Sequence, residues 1–371
     1  MSTSFEFLRE FAARLADTIC AGRALHDPCF DKLARELFRA QAVLNPAYGR
    51  LVAARGLDAA AAIHWREIPA MPTSAFKDLD LSCLPAGART SVFHSSGTTG
   101  ERRSRHFHNP DSTALYETSA LQWFTTNTDG MMDRLRQRTA SLAILTPPPP
   151  LAPHSSLVAM FEAIRRATNA PATAFLGTTG AESAWVVESK RAARALQDSA
   201  AASRPLVLLG TAFSFVHLLD SLEAAGRMPA LPAGSLLMET GGYKGRSREL
   251  PQPELHAWIT RRLGVPPARI LREYGMSELS SQAYNRDGGP TLHFPPWARA
   301  VVVSPETGLE AGEGAEGLLR VHDLANVFSV AAIQTEDLAV RRGDGFVLLG
   351  RARHAEPRGC SLAAAGLESP A

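Results

Sequence analysis

Four short strand-like runs in the middle of this chain limit what it can fold into: Leu142–Leu145, Leu206–Leu209, Leu236–Met238 and Ile270–Glu273. The first runs into Pro147–Pro150, a stiff loop, and then a helical stretch from about Ser155 to Arg166. The second is followed by a helical stretch from about Phe213 to Ala225. Buried strands alternating with helices predict an α/β fold with a largely parallel sheet. Ahead of them, residues 1 to about 60 read as helical, with Phe30, Leu33, Leu37 and Phe38 at helical spacing after an Asp27-Pro28 start signal. Trp65 to Lys77, with Pro69 and Pro72, reads as an extended connection. Past residue 300, Val301–Val303, Leu318–Val321 and Phe346–Leu349 are short strands between glycine-rich turns, which predicts a small β-rich end. The expected organisation is one domain over 1–371: a helical N-terminal segment at 1–85, an α/β core at 86–299, and a β-rich end with a tail at 300–371.

With 45% hydrophobic residues in 371, the chain can bury a large core. Its net charge of +2, from 39 basic and 37 acidic residues, offers no electrostatic footprint for nucleic acid or an acidic membrane. No run approaches the roughly 20 apolar residues of a membrane-spanning helix. Glu6, Arg9, Glu10 and Arg14 make the start an amphipathic helix rather than a signal peptide. Cys20, Cys29, Cys83 and Cys360 have the spacing of neither a zinc site nor a disulfide framework, so a cytoplasmic location is expected.

Residues His94 to Gly100 read His-Ser-Ser-Gly-Thr-Thr-Gly, directly after Ser91-Val92-Phe93. A strand entering such a loop can wrap the backbone of Ser95, Ser96, Gly97, Thr98, Thr99 and Gly100 round phosphate oxygens. No Gly-Lys-Ser/Thr follows, so this is not a Walker A loop; a plain surface loop is the alternative. A second segment, Arg272 to Leu279, follows a strand, and ligands of open α/β sheets gather at that edge. There Tyr274 can stack on adenine, beside Gly275 and Met276. Ser277 can bond a phosphate or acyl carbonyl, and Glu278 can offer Mg²⁺ a carboxylate oxygen. The same residues also suit a helix start with Ser277 as cap. In Thr335-Glu336-Asp337-Leu338, Asp337 at a strand end can take both ribose hydroxyls, or be a solvated turn acid. Gly241 and Gly242, before Tyr243-Lys244, can let backbone pass close to a base or acyl chain, or simply form a turn.

Near the C-terminus, Arg351, Arg353, His354 and Arg358 lie within ten residues of Cys360. Such neighbours raise the thiolate fraction, the nucleophilic form, and Gly359 leaves the sulfur open. A free cysteine in a loose tail has the same composition.

In combination these segments resemble the acyl-protein synthetases of bacterial bioluminescence fatty-acid reductase systems, the long-chain-fatty-acid–luciferin-component ligase family within the adenylate-forming enzymes. Further signposts are Ile68 to Thr73 with Phe76-Lys77, Ser155-Ser156-Leu157, Leu209 to Phe213, Glu239 to Glu249, Ser281-Gln282, Asp323 to Asn326 and Arg358 to Leu362. The resemblance implies the large-domain fold of adenylate-forming enzymes without the mobile C-terminal domain of larger relatives. It also implies a reaction in which a fatty acid and ATP, with Mg²⁺, give acyl-AMP. The acyl group then passes to Cys360 as a thioester and on to a partner acyl reductase.

Two departures stand out. Gly100 is followed by Glu101-Arg102-Arg103 where many adenylate-forming enzymes have Gly-x-Pro-Lys, so Arg102, Arg103 or Arg105 is expected to supply the charge. The catalytic Lys of the larger relatives' C-terminal domain has no counterpart, and Lys244 and Arg351 are the candidate replacements. A CoA ligase or amide-forming ligase on the same scaffold, and a non-catalytic subunit of a reductase or biosynthetic complex, remain as alternatives. Product analysis with CoA and ATP–pyrophosphate exchange respectively separate them.

Overall fold

The computed structural model describes residues 2–61, 63–95, 102–181, 184–226, 229–241 and 250–352. Ser96 to Gly100, Gly242, Lys244 and Cys360 lie outside the described residues. The described residues form two compact units: 2–122 with 276–282 and 293–352, and 123–275 with 283–292.

The second of these carries the alternating pattern. Strands Ser141–Ile144, Leu206–Thr211, Leu236–Thr240 and Ile270–Tyr274 lie side by side and parallel, in that order, and Ala283–Asn285 adds antiparallel to the last. Leu206, Val207, Leu208 and Leu209 are all buried, as expected of a central strand covered on both faces. Helix Ser156–Ala167 starts where Ser155 Oγ accepts from Val158 N at 3.3 Å, and it buries Val158, Met160, Phe161 and Ile164. Helix Ala212–Ala224 starts the same way, Thr211 Oγ1 accepting from Ser214 N at 3.1 Å. Its Phe215, Leu218, Leu219 and Leu222 join Leu208, Leu237 and Ile259 in one apolar cluster. Each such side chain contributes roughly 1.5–3 kcal/mol of burial before entropy is subtracted.

The other unit opens with helices Ser2–Cys20, Asp27–Leu44 and Pro46–Ala54. The second starts at the Asp27-Pro28 signal, with Phe30, Leu37 and Phe38 buried. Where an extended connection is expected, Trp65–Glu67 and Ala75–Asp78 turn into short helical pieces. Met71–Pro72 between them runs parallel to strand Ala332–Arg342. That strand belongs to an antiparallel meander with Ala298–Val303, Glu316–Asp323 and Gly345–Arg351. Gly317 is required there, because a Cβ on it would lie 2.4 Å from Val303 O. Strand Ser91–His94 pairs antiparallel with Arg105–His108, so the two ends of the Ser/Thr/Gly loop are brought together. No helix among the described residues is long and apolar enough to cross a membrane.

Candidate active site

In the unit holding the N-terminal helices, the mouth of the Ser/Thr/Gly loop is closed by two serines. Ser95 N donates to Ser104 Oγ at 3.2 Å, and Ser104 N donates to Ser95 Oγ at 3.0 Å. His94 Nδ1 lies 3.0 Å from Ser104 O; a carbonyl only accepts, so Nδ1 carries the proton. Ser104 also reaches the second motif, its Oγ 3.2 Å from Ser277 Oγ. Ser277 Oγ donates to Glu278 Oε2 at 2.9 Å. A hydroxyl has one proton, so with Ser277 committed to the carboxylate, Ser104 donates to Ser277. The result is a directed chain: Ser95 N–H to Ser104, Ser104 O–H to Ser277, Ser277 O–H to Glu278.

Behind this chain, His106 Nδ1 donates to Ser277 O at 2.9 Å. Burial pushes the His106 pKa down to about 4, so the ring is neutral near pH 7 and holds one fixed tautomer. His108, its ring 4.3 Å away, is held well below the usual range by burial and by His106 beside it. Ser277 is not a helix cap: Met276 to Leu279 form a turn, with Leu279 N donating to Met276 O at 3.1 Å.

Asp337 sits within strand Ala332–Arg342 rather than at a strand end, next to the irregularity between Leu338 and Ala339. It faces Arg351 across the ladder, and Arg351 Nε is 3.7 Å from Asp337 Oδ1. The carboxylate is buried while the guanidinium is largely exposed. Two of the cations expected to serve the phosphate loop have acidic partners instead: Arg102 Nη1 lies 2.9 Å from Asp78 Oδ1, and Arg105 Nη2 lies 3.1 Å from Asp80 Oδ1.

In the unit with the parallel sheet, Tyr274 and Gly241 follow the C-terminal ends of adjacent strands or close them. Thr240 pairs with Glu273 in register, and Thr240 Oγ1 donates to Glu273 Oε2. Burial pushes the Glu273 pKa up to about 7, Glu239 nearby adds to this, and the Thr240 bond opposes it. Glu239 Oε1 in turn lies 3.1 Å from His256 Nε2, both buried. Gly241 has φ +72°, a left-handed turn that glycine adopts without strain. Tyr274 is buried and pairs with Ala283 in the ladder. Gly275 ends this unit, and Met276 begins the segment that belongs to the other.

Among the described residues, no three His, Cys, Asp or Glu side chains cluster as a metal cage. That is compatible with Mg²⁺, which is usually held by one or two carboxylates together with substrate phosphates. A cavity of about 310 Å³ lined by Leu51, Arg66, Ile68, Leu309 and Arg320, among others, contains none of these residues. The sequence gives no signal for Ser104, His106 and His256, and it names Glu273 only within the Ile270–Glu273 run and the Arg272 to Leu279 segment, without a role. Ser104 and His106 sit within fourteen residues of His94 but carry no motif of their own.

The family described as Acyl-protein synthetase, LuxE, matches this chain over residues 28–366. Comparison with curated proteins gives no match. Among solved structures, 2-hydroxyisobutyryl-CoA ligase in an open conformation with 2-HIB-AMP and CoA aligns with a TM-score of 0.61 at 14% identity, over 88% of this chain and 74% of that one. The same ligase in its postadenylation state, with R3-HIB-AMP, aligns with a TM-score of 0.64 at 13% identity, over 88% of this chain and 67% of that one. At these identities the likeness is one of fold, that of an adenylate-forming ligase.

Proposed function

Since the chain belongs to the acyl-protein synthetase family, LuxE, a family of ATP-dependent, AMP-forming ligases, we propose that it activates a fatty or other carboxylic acid as acyl-AMP, takes the acyl group onto Cys360 and passes it to a partner acyl reductase. In the first half-reaction a carboxylate oxygen attacks the α-phosphorus of ATP, the bond to the β-phosphate oxygen breaks, and pyrophosphate leaves. In the second, the Cys360 thiolate attacks the acyl carbon, the bond to AMP oxygen breaks, and AMP leaves. A thioester intermediate divides one hard transfer into two easier ones.

The observation that carries this reading is the hydrogen-bonded chain from Ser95 through Ser104 to Ser277 and Glu278. It joins the base of the phosphate loop to Ser277 and Glu278, the two residues read as facing the nucleotide. In this reading the backbone of Ser96 to Gly100 binds the β- and γ-phosphates, Ser277 orients the α-phosphate or acyl carbonyl, and Asp337 takes the ribose. Tyr274, Gly275 and Met276, with Gly241 and Gly242, border the adenine. Lys244 and Arg351 are the cations for the developing negative charge. Glu278 would hold Mg²⁺, whose charge offsets that of the phosphates when it is bound.

The test is ATP–pyrophosphate exchange against a panel of carboxylic acids, followed by intact mass of the protein. Exchange with an acid and a protein adduct of acyl mass are expected. Exchange with no acyl on the protein, and a CoA thioester as the main product when CoA is added, would replace the acyl-protein reading by a CoA ligase. No exchange with any acid would leave a non-catalytic subunit.

A further inference from the structure

The segment that carries Ser277 and Glu278 has little regular structure of its own. After the turn at Met276 to Leu279, its polar groups find partners at the end of strand Glu316–Asp323 and in the loop beyond it. Asn326 Nδ2 donates to Glu278 O at 2.8 Å and to Val330 O at 3.1 Å. Asn326 Oδ1 accepts from Ser280 Oγ at 2.6 Å. Asp323 Oδ2 accepts from Ser280 N at 2.9 Å, and Oδ1 accepts from Ser281 Oγ at 2.7 Å and Ala325 N at 3.0 Å. The loop is itself anchored, Gln41 Nε2 donating to Asn326 O at 2.7 Å. Asp323, Asn326, Ser280 and Ser281 are all buried.

The chemistry of Asn326 is specific. Both amide N–H groups are used on carbonyls and the amide oxygen on a hydroxyl, so a carboxylate in its place would set an oxygen against Glu278 O. Apart from Val330 O and Ala325 N in their own loop, the bonds of Asn326 and Asp323 described here go to the backbone and hydroxyls of Glu278, Ser280 and Ser281. They set the direction in which the Glu278 side chain leaves the main chain. Ser277 itself is held by Ser104 and His106. Buried networks whose members are all satisfied hold one geometry, and removing a member leaves a buried group unpaired.

We propose that Asn326 and Asp323 are positioning residues for adenylation, fixing the Ser277–Ser281 backbone so that Ser277 and Glu278 present their oxygens to the nucleotide. This rests on the reading of Ser277 and Glu278 as nucleotide-facing groups. Supporting residues of this kind typically matter about 10–100-fold in activity.

The experiment compares the full-length parent with Asn326→Ala, Ser280→Ala, Glu278→Gln and the doubles that combine Glu278→Gln with each of the other two. ATP–pyrophosphate exchange gives kcat and KM for ATP, and calorimetric titration with ATP and MgCl₂ gives binding. Asn326→Ala is expected to lower exchange about 10–100-fold in the parent. In the Glu278→Gln background it should add less than about threefold, because the group it positions is already altered. Ser280→Ala, which removes one hydroxyl and keeps the amide, should show a smaller loss with the same coupling. It carries the comparison if Asn326→Ala does not fold. Equal fold-losses in both backgrounds would make the network merely structural and overturn the proposal, leaving the adenylation reading intact. Parental exchange and ATP binding in Glu278→Gln itself would remove Glu278 from the nucleotide site, and the positioning role with it.

Discussion

Ser104 and Ser277, 173 positions apart in the chain, share a hydrogen bond at 3.2 Å, and through it the mouth of the Ser/Thr/Gly loop is tied to Glu278. The bond is buried and directed, since Ser277 spends its own proton on Glu278. Ser104→Ala leaves Ser95 N without its acceptor and Ser277 Oγ without its donor. Losing such buried partners costs about 1–3 kcal/mol. Denaturant unfolding should show a lowered midpoint, and pyrophosphate exchange should fall as well. An unchanged midpoint would mean that water replaces the hydroxyl freely.

Glu278→Gln keeps an acceptor for Ser277 but removes the charge. A neutral oxygen binds a hard divalent cation less well. The Mg²⁺ concentration needed for half-maximal exchange should rise, with the fold unchanged by circular dichroism. The same Mg²⁺ dependence as the parent would reduce Glu278 to a turn residue.

Gly97→Ala and Thr98→Ala probe the loop itself. If its backbone and hydroxyls act on charge developing at the phosphates, each loss should cost about 3 kcal/mol of barrier, on the order of a hundredfold in exchange rate. Unimpaired exchange in both variants would take this loop out of the site.

Cys360→Ser separates the half-reactions. Acyl-AMP formation needs no thiol, so exchange should persist while the stable acyl adduct disappears from the intact mass. In the parent, neutral hydroxylamine should release the adduct, since thioesters are cleaved far faster than ordinary esters. A parent that makes acyl-AMP but never carries acyl on Cys360 would point to CoA, an amine or another protein as direct acceptor.

Stability should depend on pH from both sides. Folding raises the Glu273 pKa from 4.5 to about 7, so the folded state holds a proton that the unfolded chain releases. Stability from this group is therefore full below about 4.5 and is lost as pH rises through 7, by roughly 3 kcal/mol. Asp323, pushed up to about 6 by burial, acts in the same direction. Burial lowers His106 to about 4 and His322 to about 3, so their contribution is present above about 6.5 and lost as pH falls below it. Unfolding midpoints measured from pH 5 to 8.5 should show these opposing changes below about 7 and level off above it. Glu273→Gln should remove the loss of stability between about pH 4.5 and 7, and an unaltered profile there would mean that Glu273 is ionised in the native protein at little cost.

The alternation of strands and helices could be read from the sequence because it rests on local signals. Runs such as Leu206–Leu209 are apolar enough to be buried wherever the chain goes, and Ser155 and Thr211 cap the helices that follow from within their own neighbourhoods. The Ser/Thr/Gly loop and the Tyr274–Glu278 segment were legible as motifs for the same reason: their residue types sit side by side. Only the tertiary structure decided what these motifs touch. Asp337 reads as a strand end because Thr335-Glu336-Asp337 looks polar, yet the ladder with Gly345–Arg351 carries the strand on through it and sets Arg351 opposite. Ser104 and Asn326 look like ordinary polar residues until the chain brings them to Ser277 and Glu278. The physical difference is range. Hydrophobic period and capping act over a few neighbouring residues. A buried hydrogen bond between distant segments depends on where the folded backbone returns, and its strength comes from the exclusion of water that packing alone provides.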